Sequence, residues 1–166
     1  MDILDPERRL PGPVTRWLAA MARRAGAALG ARGEVRVRIV GDDEMDAAHR
    51  RYMGIPGTTD VLTFDYADGP RPDDSGARSL DADIFVCADE AARQASQRGG
   101  DTTTELLLYI VHGMLHCLGH DDREPEEAAA MHRREDEVLT AIGVGPVYAR
   151  EAGEAGRAQR GGGSWA

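Results

Sequence analysis

The sequence predicts an α+β fold: a single domain in which one mixed β-sheet of about four strands is covered by helices, one of them central and buried. Three observations predict it. Residues 34–40 alternate apolar and charged side chains with period two, as a strand with one buried face does, and 60–66 and 81–87 also read as strands. Residues 106–118 are apolar on nearly all sides, so a helix there must lie inside the protein. The elements run helix, strand, helix, strand, strand, helix, helix, helix.

Along the chain, residues 13–31 place Val14, Trp17, Leu18, Met21, Ala25 and Leu29 at steps of three and four behind Pro11 and Pro13, an amphipathic helix. After the first strand, Gly41-Asp42-Asp43-Glu44 stops the extended run and starts a short helix reaching about Met53. Residues 68–79, rich in Gly, Pro, Asp and Ser without periodicity, read as an exposed loop. Residues 88–97 form a helix that Gly99-Gly100 ends, and Thr102 with Glu105 has capping-box spacing for the apolar helix. Glu124-Pro125-Glu126-Glu127 opens a last helix running to about Ile142. The domain is expected over 1–145, and 146–166 as a disordered tail.

Composition narrows the function. At 166 residues and 42% hydrophobic content the chain builds one core. Its longest apolar run is six residues, Leu106 to Val111, and no targeting segment is evident, so a soluble cytoplasmic protein without a membrane partner is expected. Cys87 and Cys117, its two cysteines, are too few for a disulfide framework and read as core residues. The net charge of −9 is uneven: residues 1–60 carry ten Arg against nine acidic residues, the remainder ten against twenty. Such a protein is a poor general nucleic-acid binder, so any RNA contact must be local and made by Arg, as no Lys is present.

The chemistry concentrates in His112-Gly113-Met114-Leu115-His116-Cys117-Leu118-Gly119-His120-Asp121-Asp122. Two His four apart on a helix project from one face and can hold one tetrahedral ion, most simply Zn²⁺. Gly119 sits where a helix commonly ends in the left-handed conformation, letting the chain fold back with a third ligand. Spacing favours Asp122, with His120 and Asp121 as competitors. Three protein ligands leave a fourth position for water, which marks a catalytic site. The bland alternative is two satisfied polar groups on a buried helix, but the Gly and the Asp cluster add constraints that such a helix does not need. Metalloproteases with an HExxH helix use the Glu beside the first His as base; Gly113 stands there.

The motif resembles that of the YbeY family of bacterial endoribonucleases, His-Gly-x-Leu-His-Leu-x-Gly-Tyr-Asp-His. Residues 59–64 resemble the family's Thr-Asp-Val-Leu-Ser-Phe strand, and 82–86 its Gly-Asp-Ile strand, followed by a similar helix with Arg93-Gln94-Ala95. The resemblance covers roughly residues 34–142 in order. It implies a single-strand-specific metal-dependent endoribonuclease acting on ribosomal RNA, at the 3′ end of the small-subunit RNA and in ribosome quality control, with the ribosome or its small subunit as partner.

The sequence departs from the pattern at three places: Asp122 stands for the third His, His120 for the Tyr, and Met53 for the Arg of a Tyr-Arg-Gly segment. The ligand set becomes His112, His116 and Asp122. Arg50 or Arg51 is a candidate for the missing cation, and both read equally as solvated surface residues. Asp60 and Asp83 are candidates either to orient a ligand His or to cap a turn. The resemblance places His49 near the cleft, and His132 is expected on the surface of the final helix. The rival functions are a zinc metalloprotease of the metzincin type and a ribosome assembly factor with a structural metal.

Overall fold

The structure, a computed structural model, describes residues 1–67 and 78–149. Its elements are β1 (Asp2–Leu4), α1 (Gly12–Ala28), β2 (Ala31–Arg32), β3 (Val35–Val40), α2 (Asp42–Met53), β4 (Val61–Asp65), β5 (Arg78–Ser79), β6 (Ala82–Cys87), α3 (Ala88–Arg98), α4 (Thr102–Cys117) and α5 (Pro125–Ala141). The main sheet has the order β1-β3-β6-β4. Strands β1, β3 and β6 are parallel, and β4 joins the edge antiparallel to β6 with Thr63 opposite Ile84. The mixed four-stranded sheet of an α+β domain is therefore what the chain forms.

Alternation sets the two faces of that sheet. Val35, Val37, Ile39, Ile84 and Val86 face the main core with α1, α4 and α5. Arg36, Arg38, Asp83 and Phe85 point the other way, where α2 covers only part of the surface with Met45 and Ala48. There Arg36 pairs with Asp83 at 2.5 Å and Arg38 with Glu44 of α2 at 2.7 Å. Helix α4 is the centre of the core: Leu106, Leu107, Leu108, Ile110, Met114 and Leu115 are all buried, each contributing roughly 1.5–3 kcal/mol. Among the described residues, no helix is long and apolar enough to cross a membrane.

The structure adds elements that are too short to show a period. Strand β1 pairs with β3 from Asp2 opposite Arg36, and β2 with β5 makes a separate two-stranded ribbon. The loop expected over 68–79 lies outside the described residues apart from its last two, which form β5. The cap of α4 is Asp101 rather than Thr102: its carboxylate accepts from Thr104 N at 2.9 Å and Thr104 Oγ1 at 2.6 Å. A carboxylate one residue earlier reaches both groups, and Glu105 is buried and paired with Arg98 instead. Residues 147–149, assigned to the tail from sequence, fold back on α5, because Asp136 accepts their three backbone N–H groups at 2.7–3.1 Å. Residues 150–166 lie outside the described residues.

Candidate metal centre

Helix α4 can lie directly on the sheet because residue 113 has no side chain. A Cβ there would sit 2.9 Å from Ile84 Cγ2 and 3.2 Å from Thr63 Cγ2. That close approach is incompatible with Glu at this position, and it leaves the helix face that carries both His112 and His116 at a cleft beside the sheet.

The helix ends in a Schellman motif. His120 N donates to Leu115 O at 3.0 Å and Gly119 N to His116 O at 2.9 Å, with Gly119 at φ 90°. The reversal brings the carbonyl of His120 over His116, whose Nδ1–H donates to it at 3.1 Å. On the other ligand candidate, His112 Nδ1–H donates to Glu135 Oε1 at 2.6 Å. A carbonyl can only accept, so His116 carries hydrogen on Nδ1; with Glu135 as carboxylate the same holds for His112, and the two Nε2 atoms then face one another 2.9 Å apart.

Asp122 closes the group. Its Oδ2 lies 3.5 Å from His112 Nε2 and its Oδ1 3.7 Å from His116 Nε2. Among the described residues, His112, His116 and Asp122 form the cluster able to hold a metal ion, with ligand atoms all within 4.8 Å of one another. Two bonds of about 2.0–2.1 Å at a tetrahedral angle hold nitrogens about 3.3 Å apart, so the triangle fits an ion such as zinc with little adjustment. Both His are largely shielded, whereas Asp122 is 38% exposed, leaving the solvent side open.

Of the competing ligands, Asp121 is engaged elsewhere, and neither it nor the His120 imidazole joins the cluster of three. Asp121 accepts from the backbone N–H of Asp122 and Arg123 and pairs with the Arg123 guanidinium, which holds its carboxyl down at about 2. His120 contributes its carbonyl to His116, and burial, then the charge of Arg78, lowers its imidazole below the usual value. Burial opposes charging of His112, but the hydrogen bond and charge of Glu135 outweigh it and hold that imidazole above its ordinary value.

A polar cleft of about 280 Å³ opens over the group, lined by His112, Asp122, Asp60, Arg98, His132 and Glu135 among others. His132 is thus not a bare surface residue: its ring stacks on Tyr148 at 3.8 Å and 13° in the cleft wall. A second depression over His116 and Asp122 is lined by Met53 and Arg123. Arg50 is paired with Asp46 at 2.8 Å and Arg51 lies over the Tyr52 ring; neither lines these two pockets. His49 binds the carbonyl of Gly57 at 2.8 Å.

Neither Asp60 nor Asp83 binds a ligand His. Asp60 caps the start of β4, accepting from Val61 N at 2.9 Å and Thr59 Oγ1 at 3.0 Å. Asp83 lies on the sheet face turned away from α4, with Arg36 and Tyr66. The carboxylate that does bond a candidate ligand His is Glu135, on His112, and sequence reasoning missed it. The signal was present: α5 buries Met131, Glu135, Val138 and Leu139, so a carboxylate interrupts its apolar stripe. Cys87 and Cys117 are buried as expected, and burial pushes the Cys87 thiol up to about 11.

Comparison with known proteins points to one family. The family model described as Endoribonuclease YbeY matches residues 5–143. Curated relatives named Endoribonuclease YbeY include that of Cutibacterium acnes, 39% identical over 110 residues, covering 65% of this chain and 71% of its own. That of Anaeromyxobacter sp. is 35% identical over 152 residues, 92% of this chain and 73% of its own. That of Methylibium petroleiphilum is 39% identical over 136 residues, 82% and 81%. Among solved structures, TM1509 from Thermotoga maritima has the same fold, with a TM-score of 0.56 at 23% identity over 85% of this chain and 87% of its own.

Proposed function

The chain belongs to the YbeY endoribonuclease family, and on that premise we propose that it hydrolyses phosphodiester bonds in single-stranded ribosomal RNA through one zinc ion held by His112, His116 and Asp122. The setting is the cytoplasm, the partner the ribosome or its small subunit, and the role maturation of the 3′ end of the small-subunit RNA together with ribosome quality control. The observation that carries the reading is the triangle of two Nε2 atoms and one carboxylate, open to solvent at the foot of a polar cleft.

When bound, the ion supplies Lewis acidity towards a phosphoryl oxygen and acidifies a water to about pKa 7. The protein orients it: Glu135 and the His120 carbonyl fix both imidazoles with Nε2 free. Arg123, which also pairs with Asp121, lines the depression that Met53 lines, and Arg98, which also pairs with Glu105, lines the cleft; we assign these two cations the contact with phosphate for which Arg50 and Arg51 were candidates. Local Arg contacts suit a chain of net charge −9, which lacks the overall positive field of a general RNA binder. Peptide hydrolysis by the HExxH route has no base, since Gly113 is packed against Ile84.

The test is cleavage of a single-stranded fragment from the 3′ end of small-subunit ribosomal RNA by the purified protein. Cleavage is expected to stop with chelator, to return with zinc, and to be lost in His116→Ala. Cleavage unaffected by chelator and by that substitution would contradict the proposal.

A further inference from the structure

Glu135 is fully buried on α5, within the stripe formed by Met131, Val138 and Leu139. Its Oε1 receives one hydrogen bond, from His112 Nδ1 at 2.6 Å, and its Oε2 is buried without a hydrogen-bond partner. A carboxylate in such a place is a poor device for stability: a whole buried ion pair replaced by apolar side chains of similar volume is often neutral or stabilising, and here one carboxylate oxygen is left unsatisfied as well. Stability of the fold alone therefore leaves this residue unexplained.

We propose that Glu135 is a positioning residue for the metal centre, which tightens metal binding through His112. This rests on the reading of His112 as a ligand. The hydrogen bond confines the proton to Nδ1 and the ring to one orientation, so the Nε2 lone pair faces His116 and Asp122. A carboxylate behind a ligand imidazole also makes its other nitrogen a better donor to the ion. His116 has only a neutral carbonyl in that role, at 3.1 Å. Charge balance points the same way: Asp122 and Glu135 together offset the two positive charges of a divalent ion, which the two imidazoles cannot do.

The experiment measures two quantities on the full chain without RNA: zinc affinity, by competition with a chromophoric chelator, and stability of the metal-free protein, by denaturant unfolding. Glu135→Met is expected to weaken zinc binding on the order of 10–100-fold, the range for losing an outer-shell partner, while the unfolding curve shows the metal-free variant still folded. Glu135→Gln, which accepts the same hydrogen bond without the charge, falls between. A Met variant that binds zinc like wild type overturns the proposal. If that variant fails to fold, a Gln variant with wild-type affinity overturns it equally. Wild type that binds no zinc overturns both this inference and the ligand reading, whereas failure of RNA cleavage with zinc affinities as expected overturns only the ribonuclease reading.

Discussion

Two carboxylates are buried at α4, one on the helix itself and one facing it from α5, and they are held in opposite ways. Glu105, 4% exposed on the first turns of the helix, pairs with the guanidinium of Arg98 at 3.0 Å. Glu135, 0% exposed on α5, meets only an imidazole and keeps one oxygen unsatisfied. The first has a permanent cation as partner, and it ties α3 to α4 as an element of the fold. The partner of the second has its other nitrogen in the cluster with His116 and Asp122. The contrast teaches that the fold accounts for one buried charge and the candidate metal centre for the other.

The sharpest break in this comparison is removal of the ligand itself. His116→Ala is expected to weaken zinc binding by more than the about 100-fold of an outer-shell change, while Glu105→Ala leaves the affinity of the folded protein unchanged, as read by chelator competition. Second, Glu105→Ala removes the carboxylate partner of Arg98, which keeps its contact with the Tyr148 ring, and should destabilise the metal-free protein by about 2–3 kcal/mol in urea unfolding, below the full range for a buried pair because Arg98 is 27% exposed. Third, Gly113→Ala forces α4 off Ile84 and should lower stability by about 1–3 kcal/mol, weakening zinc binding as well because the helix carries both His. Fourth, Asp101→Ala removes the cap of α4 far from the site and should lower stability by about 1 kcal/mol with no change in zinc affinity.

The smallest effect concerns pH and lies away from both carboxylates. Hydrogen bonds from Arg93 hold the Asp42 carboxyl below its ordinary value. A depressed folded value means that the stabilisation is present above the unfolded value of about 3.9 and is lost as pH falls through the folded one. Acid unfolding of Asp42→Asn should therefore show a shallower loss of stability below about pH 4, an effect reduced by the partial exposure of both side chains.

The sequence made the regular parts of this molecule legible for a physical reason. Alternation in residues 35–40 survives because one face of β3 is core and the other carries Arg36 and Arg38. The apolar α4, its two His and Gly119 are local patterns, and locality is what a sequence displays. Strand β1 is three residues long, too short for a period, and its pairing is with residues more than thirty positions away. Glu135 lies among charged neighbours, Arg133, Arg134, Asp136 and Glu137, so only its place in the buried stripe distinguishes it. His132 and Tyr148 meet only because Asp136 gathers the chain after α5.

The central claim is that three side chains, His112, His116 and Asp122, make one metal site. Zinc content of the purified chain, measured beside Asp122→Ala and His120→Ala, tests it most directly. The account predicts one equivalent in wild type and in His120→Ala and a large loss in Asp122→Ala. Full zinc in Asp122→Ala with loss in His120→Ala would contradict it.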